Sequence, residues 1–277
     1  MEFIPLSDVQ QRSFDEHGFV VVRNAIDADV VERLTAAGDR FMKSAGPVHN
    51  YYANRFIDMW YDDTLLGLAT NPRILPLIVQ LLSPSIQLTR THIIYKHPQP
   101  RSDDPLYPDG DGRSFRNWHR DLNNFAPNHP IRGTVSVRVG YCLTDFTEPC
   151  SGVTLLVPGS HRLVEQIRIP KGSLDPADYV ELPLQPGDAY LFSSSCYHFP
   201  ALNFQRSPAK GILVTYAYRW WSHGHPRPAD ELLETMDPIA RQLFGDAPAD
   251  EEQLPLRHWA REHGLPNAEV PPMRIFV

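Results

Sequence analysis

The sequence is poor in cysteine, in long apolar runs and in positive charge, and each shortage argues against a class of protein. Three cysteines among 277 residues cannot build a disulfide framework. No apolar run is long enough to span a bilayer, and no charged-then-apolar signal segment opens the chain, so we expect a cytoplasmic protein without a membrane partner. A formal net charge of −7 argues against a nucleic-acid partner.

Proline, in contrast, is abundant, and its 27 residues predict many turns and long loops. Between the turns lie short segments rich in β-branched and aromatic residues, which are typical of strands. Strands are predicted at 19–22, 86–96, 134–143, 153–157, 179–184, 188–192 and 211–218. Many short strands with few helices predict a β-sandwich or a jelly roll.

Helical spacing of apolar residues appears mainly near the two ends of the chain. A helix at 6–16 ends before Gly18, a second begins with a capping box at Asp29, a third starts near Leu75, and helical spacing returns at 230–244. With no internal repeat, the sequence predicts a single domain over 1–277. Its core lies at about 14–220, and a helical and Pro-rich extension follows at 222–277.

The most informative motif is the His-x-Asp of His119 and Asp121. In an extended chain, positions two apart face the same side, so both side chains can bind one metal ion from one wall of a pocket. The best third ligand is His198, in the segment that runs from Ser193 to Pro200. Two imidazoles and one carboxylate on one face of a metal form the facial triad of non-haem Fe(II) oxygenases.

Other metal sites fit the pattern less well. Structural zinc usually has four closed protein ligands, whereas a facial triad leaves positions open for a cosubstrate and O2. A cupin-type site would require a His-x-His with a glutamate and a later histidine in its usual pattern, which the sequence lacks. Fe(II) is therefore the metal that we expect.

Three blocks follow the His-x-Asp motif in order: Pro158-Gly159-Ser160-His161, Pro186-Gly187-Asp188 and the segment with His198. This series resembles the phytanoyl-CoA dioxygenase family of Fe(II)/2-oxoglutarate oxygenases, from about Phe14 to about Tyr218. The resemblance implies a mainly β fold, namely a double-stranded β-helix (jelly roll) with helices packed outside. It also implies 2-oxoglutarate as cosubstrate and O2 as oxidant.

One departure from the family concerns the cation that binds the far carboxylate of 2-oxoglutarate. The resemblance implies an arginine at a position that is Ala209 here. The nearest cations are Lys210, which opens the late strand and is our first choice if the loop shifts by one residue, and Arg206. Lys96 and Tyr141 occupy positions similar to cosubstrate-contacting ones in the family.

The resemblance implies an oxygenase that decarboxylates 2-oxoglutarate to succinate and abstracts hydrogen from a small organic substrate. Hydroxylation is the default outcome, and desaturation, epimerisation or ring closure are alternatives. The compact chain and its aromatic-rich segment 51–61 favour natural-product tailoring. Two other functions stay open: a non-catalytic jelly-roll binding module, which the missing arginine favours, and a halogenase of the same fold. Asp121 argues against the halogenase, which needs a small residue at that position.

Overall fold

Two antiparallel β-sheets face each other in the computed structural model, which describes residues 4–46, 51–99, 117–121, 134–163, 165–221 and 227–269. The strands are β1 (Phe19–Val22), β2 (Tyr52–Phe56), β3 (Ile86–Lys96), β4 (Ser136–Cys142), β5 (Thr154–Leu156), β6 (Val180–Glu181), β7 (Ala189–Ser193), β8 (His198–Pro200) and β9 (Ala209–Tyr218). The larger sheet has the order β1-β7-β4-β9-β3-β2, and the smaller one β6-β5-β8.

Helices cover the outer face of the larger sheet. They are α1 (Asp8–His17), α2 (Ala28–Ser44), α3 (Asp63–Gly67), α4 (Leu75–Leu81), α5 (Asp230–Leu233), α6 (Pro238–Leu243) and α7 (Pro255–Glu262). The main core lies between these helices and the sheet, where Leu34 and Leu75 belong to the same buried cluster as Val139 and Val214. This arrangement confirms the predicted jelly roll with helices outside.

Alternation along β9 separates the two sides of the larger sheet. Ile212, Val214 and Tyr216 belong to the core beneath the helices. Ala209 and Leu213 belong to a second buried cluster, between the two sheets. Because successive side chains of a strand point to opposite faces, every second residue of β9 faces the interior of the jelly roll. The interior is where a site for a small molecule has to lie.

Three predicted features differ from the structure. The helical pattern at 230–244 is interrupted, because α5 ends at Leu233 and α6 begins at Pro238 with Asp237 as its N-cap. Proline fits the first turn of a helix and disrupts an interior, so the helical spacing at 230–244 corresponds to two short helices. The capping box at Asp29 is not formed, since α2 begins at Ala28 and Asp27 is its N-cap. In the smaller sheet, only Val180–Glu181 of the predicted 179–184 strand is formed.

The described part of the extension packs against the core. Gln242 of α6 donates hydrogen bonds to the carbonyls of Pro84 and Ile86, at 2.8 and 3.2 Å, and Trp259 of α7 lies in the main core cluster. The division into a core at about 14–220 and an extension at 222–277 stays a prediction. Among the described residues, no helix has both the length and the apolar character that crossing a membrane requires.

Asp188 joins the turn before β7 to the segment after β1. Its buried carboxylate accepts hydrogen bonds from the backbone N–H groups of Asn24 and Gln185, at 3.0 and 2.9 Å, and Arg23 lies at 2.6 Å. Burial alone would raise the pKa of Asp188, but these donors together lower it below its usual value. The ionised form is therefore the one that stabilises the fold.

We expect Asp188→Asn to lower the free energy of unfolding by about 2 kcal/mol at pH 7, since hydrogen bonds to charged groups contribute about 1.5–3 kcal/mol. A carboxyl with a lowered folded pKa stabilises the protein above its ordinary pKa and loses that contribution as pH falls through the folded value. Urea unfolding of both proteins across pH 7 to 3 should thus show a gap that narrows at the acidic end. A gap independent of pH would contradict this explanation.

Candidate active site

Backbone pairing brings together the two segments that carry His119 and His198. The backbone N–H of each histidine donates a hydrogen bond to the backbone carbonyl of the other, at 3.2 and 3.0 Å. Two residues further on, the N–H of Asp121 donates to the carbonyl of Ser194 at 3.0 Å. Segments far apart in sequence are thereby fixed side by side at the edge of the smaller sheet, with their side chains turned towards one point.

The side chains of His119, Asp121 and His198, hereafter the triad, offer ligand atoms that all lie within 4.8 Å of one another. The Nε2 atoms of His119 and His198 lie 3.8 and 3.6 Å from Oδ1 and Oδ2 of Asp121. Asp121 Oδ2 is buried and accepts no hydrogen bond from the described residues. Two imidazoles, one carboxylate and an unsatisfied oxygen fit a divalent metal ion, and the donor set is that of a facial triad.

A hydrogen bond from Nδ1 to a backbone carbonyl orients each imidazole ring. Nδ1 of His119 lies 2.7 Å from the carbonyl of Asn117, and Nδ1 of His198 lies 3.0 Å from that of Cys196. A carbonyl only accepts, so Nδ1 carries the hydrogen and Nε2 keeps its lone pair towards Asp121. Burial lowers the pKa of His198 to about 4, against the opposing attraction of Asp121. The ring is therefore neutral at pH 7, as a metal ligand must be.

Arg138 is a component of the site that sequence reasoning missed. Its Nε lies 2.7 Å from Oδ2 of Asp121, and only 12% of its side chain is exposed. The two atoms form an ion pair without hydrogen-bond geometry, since neither is hydrogen bonded. The available signal was alternation: Arg138 stands between Val137 and Val139, which both pack beneath the helices, so its own side chain faces the interior.

Deeper in the jelly roll, a small cavity contains one buried cation. Lys96 is only 4% exposed, its Nζ donates to the carbonyl of Gly152 at 2.5 Å and lies 5.8 Å from the centre of the Tyr52 ring. In the sheet, Lys96 pairs directly with Ala209. Burial lowers the pKa of Lys96 to about 7, against the opposing attraction of Glu181.

Tyr190 lies between the two sheets, in the wall of this cavity. Its hydroxyl and that of Thr154 are 2.7 Å apart, so one hydrogen bond joins β7 of the larger sheet to β5 of the smaller. Its ring lies against Gly140, where a Cβ atom would collide with it. The cavity is also lined by Lys96 and Leu213. A glycine at 140 is thus required for the ring to occupy the interior.

Lys210 and Tyr141 also line this cavity, but their side chains make their contacts elsewhere, and Arg206 does not line it. Lys210 turns to the outer face, where its Nζ binds both oxygens of Asp39 at 2.7 and 2.9 Å. Tyr141 packs in the core beneath the helices, and Arg206 is exposed in the loop before β9.

The one-residue shift that Lys210 requires does not occur. The ladder pairs Lys210 with Tyr95 and Ala209 with Lys96. Because alternation reverses the face at each residue, the neighbour of an inward position points outward. Lys96, which is the direct partner of Ala209, is the residue that the structure brings closest to the missing arginine's position.

A jelly roll that presents two imidazoles and a carboxylate around one point has the fold and the donor set of non-haem Fe(II) oxygenases. Comparison with known proteins agrees. The family described as Phytanoyl-CoA dioxygenase (PhyH) matches residues 14–200, and the chain belongs to this family.

Relatives and solved structures extend this result. The chain is 32% identical over 142 residues to "Dioxygenase trt7" of Aspergillus terreus, covering 48% of this chain and 47% of that protein. The match thus spans about half the length of that relative. It is 24% identical to "Dioxygenase andF" of Emericella variicolor, over 87% of this chain and 85% of the relative. The fold is similar to that of the epimerase SnoN, with a TM-score of 0.55 and 19% identity. The similarity covers 76% of this chain and 82% of the SnoN chain.

Proposed function

We propose that the protein is an Fe(II)- and 2-oxoglutarate-dependent oxygenase that acts on a small organic molecule, with the triad as its metal ligands. The observation that carries this proposal is the convergence of the three ligand atoms within 4.8 Å of one another. Membership of the phytanoyl-CoA dioxygenase family supports it. So does the solved SnoN complex, which contains Fe3+ and alpha ketoglutarate.

The residues of this chain prepare the site in three ways. Both imidazoles keep Nε2 unprotonated by donating Nδ1 to a carbonyl, and Asp121 is held by the ion pair with Arg138. The apolar wall around His198 excludes water, since Phe192 packs edge-on against its ring at 5.1 Å. When bound, Fe(II) and 2-oxoglutarate supply with O2 the oxidant that removes hydrogen from the substrate, and succinate and CO2 are released.

We propose Lys96 as the partner of the far carboxylate of 2-oxoglutarate. A buried carboxylate needs a fixed cation, and Lys96 is the buried cation of the cavity. Its direct pairing with Ala209 supports a replacement across the ladder, in which the charge moves from β9 to β3. The carbonyl of Gly152 orients the amine without neutralising its charge.

Natural-product tailoring is the role that we propose for the reaction. It is supported by the similarity to SnoN, described as an epimerase from nogalamycin biosynthesis, and by the fungal relatives named as dioxygenases. Hydroxylation, desaturation, epimerisation and ring closure all begin with removal of hydrogen, so one site serves each. We propose the cytoplasm as the location, since no disulfide joins the three cysteines, all of which lie in the described part. Neither nucleic acid nor a membrane is an expected partner.

The experiment that tests the function follows the cosubstrate. Anaerobic addition of Fe(II) and 2-oxoglutarate should produce a visible charge-transfer band, because both would bind to one centre. Admission of O2 should then release succinate, and a screen of candidate substrates should find one that increases this release and is itself oxidised. A band without succinate release under any substrate would instead support the non-catalytic binding module. Absence of the band would contradict the metal site itself.

A further inference from the structure

Three polar side chains form a row across the inner face of the larger sheet. Thr215 of β9 pairs with Arg90 of β3 on one side and with Arg138 of β4 on the other. Adjacent strands lie about 4.8 Å apart, so one arginine stands on each side of Thr215 on this face of the sheet. We call these three residues the arginine row.

The arginine row extends from the triad to the mouth of the jelly roll. At one end, Arg138 lies in contact with Asp121. At the other end, the guanidinium of Arg90 lies 5.9 Å from the ring centre of Phe56, which is 63% exposed. A molecule that approached the metal ligands from the side of Phe56 would therefore lie along the row.

The hydrogen-bonding capacity of the row is largely unused within the described residues. Thr215 Oγ1 is buried and has no hydrogen-bond partner there. Within the described ranges, Asp121 is the only ion-pair partner of Arg138, and Arg90 has none. Guanidinium groups stay charged at every physiological pH and present several donors in one plane. A buried hydroxyl without a partner is unfavourable, and both guanidinium groups have donors to spare, so the row is suited to a ligand that supplies acceptors.

The charges of the loaded site also favour an anion. A metal dication, Asp121 and dianionic 2-oxoglutarate leave one negative charge, which Lys96 balances. The two guanidinium groups of the row then remain uncompensated.

We propose that the arginine row binds a carboxylate, or an oxyanion of similar shape, on the substrate. This inference rests on the proposed function of the triad. Arg90 does not serve the cosubstrate, because Arg90 and Lys96 lie on the same strand about 20 Å apart at about 3.3 Å per residue. A five-carbon diacid that runs from the metal to Lys96 does not reach Arg90. The substrate class is therefore an organic acid whose acidic group lies at the mouth and whose reacting carbon is held towards the metal.

The test uses the full chain loaded with Ni(II) and 2-oxoglutarate, which bind without turnover. The probes are 1-naphthoate and its neutral counterpart 1-naphthamide, and binding is measured by calorimetry. We expect the wild-type protein to bind naphthoate at least tenfold more tightly than naphthamide. Arg90→Met, at an exposed position that should not affect folding, and Arg138→Met should each reduce that preference at least threefold. Arg138→Lys should retain part of it.

Arg206→Met is the matched control, because it removes the same charge from an exposed position outside the cavity, and it should leave the preference unchanged. Equal binding of the two probes by the wild-type protein, or binding of neither, would overturn the proposal. An equal loss of preference in Arg206→Met would also overturn it, since only net charge would then matter. If Arg90→Met instead weakens 2-oxoglutarate binding tenfold, the row serves the cosubstrate. Failure of Ni(II) and 2-oxoglutarate to bind at all would contradict the proposed function rather than the arginine row alone.

Discussion

Asp121→Ala should reduce succinate release to the level measured without protein, a loss that we expect to exceed 100-fold. The carboxylate is the only anionic ligand in the triad, and it is also the partner of Arg138. Its removal leaves two neutral imidazoles beside an uncompensated guanidinium, which repels a metal ion. Changes in residues that only support a metal ligand already reduce affinity or activity about 10–100-fold, and loss of the ligand itself should exceed this.

The measurement pairs succinate release with iron content, so that loss of the metal is distinguished from loss of chemistry. Asp29→Ala provides a matched control, because Asp29 is an exposed carboxylate on α2 whose only ion pair is with Arg33. His119→Ala and His198→Ala should behave like Asp121→Ala. Normal turnover in His198→Ala would show that the metal ligands have been assigned incorrectly.

Lys96→Met should raise the concentration of 2-oxoglutarate needed for half-maximal turnover at least tenfold, which corresponds to about 1.4 kcal/mol. Methionine keeps much of the length of the side chain and removes the charge, so the far carboxylate would be buried without a cation. Iron binding should be unaffected, because Lys96 is not part of the triad. Lys210→Met is the matched control: this neighbouring lysine binds Asp39 on the outer face and should leave the requirement unchanged. The reverse pattern would identify Lys210 as the partner.

The pH dependence of kcat/KM for 2-oxoglutarate provides a second test of the role of Lys96. Its pKa of about 7 means that the amine is charged below pH 7 and loses its proton above it. The groups that face the amine are Glu181, which favours the charged form, and the ring of Tyr52. We therefore expect kcat/KM for 2-oxoglutarate to fall as pH rises above about 7. Lys96→Arg, which stays charged, should remove this fall, and a wild-type profile that stays flat from pH 6 to 9 would contradict it.

Local patterns in the sequence predict most of the strands and the pairing of His119 with Asp121, because these depend on residues close in sequence. β3 begins and ends where alternation and β-branched residues predict it. The His-x-Asp spacing places two ligands on one side of an extended segment, whatever the rest of the chain does. The position of His198 needed more, namely the order of several blocks along the chain.

The remaining features depend on which strands pair and in which register. Whether Lys210 or Lys96 faces the cavity is decided by the pairing of Ala209 with Lys96, and no local pattern contains that register. The arginine row has the same origin, since Arg90, Arg138 and Thr215 are distant in sequence and adjacent only through the ladder. Sequence reasoning can assign each residue to a strand, but it cannot align the strands with one another.

The reciprocal backbone hydrogen bonds between His119 and His198 have a consequence for folding. These bonds form only when the smaller sheet has been assembled, so the unfolded chain has no preformed arrangement of the three ligands. An ion that binds only the folded protein raises the free energy of unfolding by RT ln(1 + [L]/Kd), where [L] is the concentration of the free ion. Metal occupancy and global stability therefore change together, and cells short of iron would contain a less stable form of this protein that unfolds and is degraded more readily.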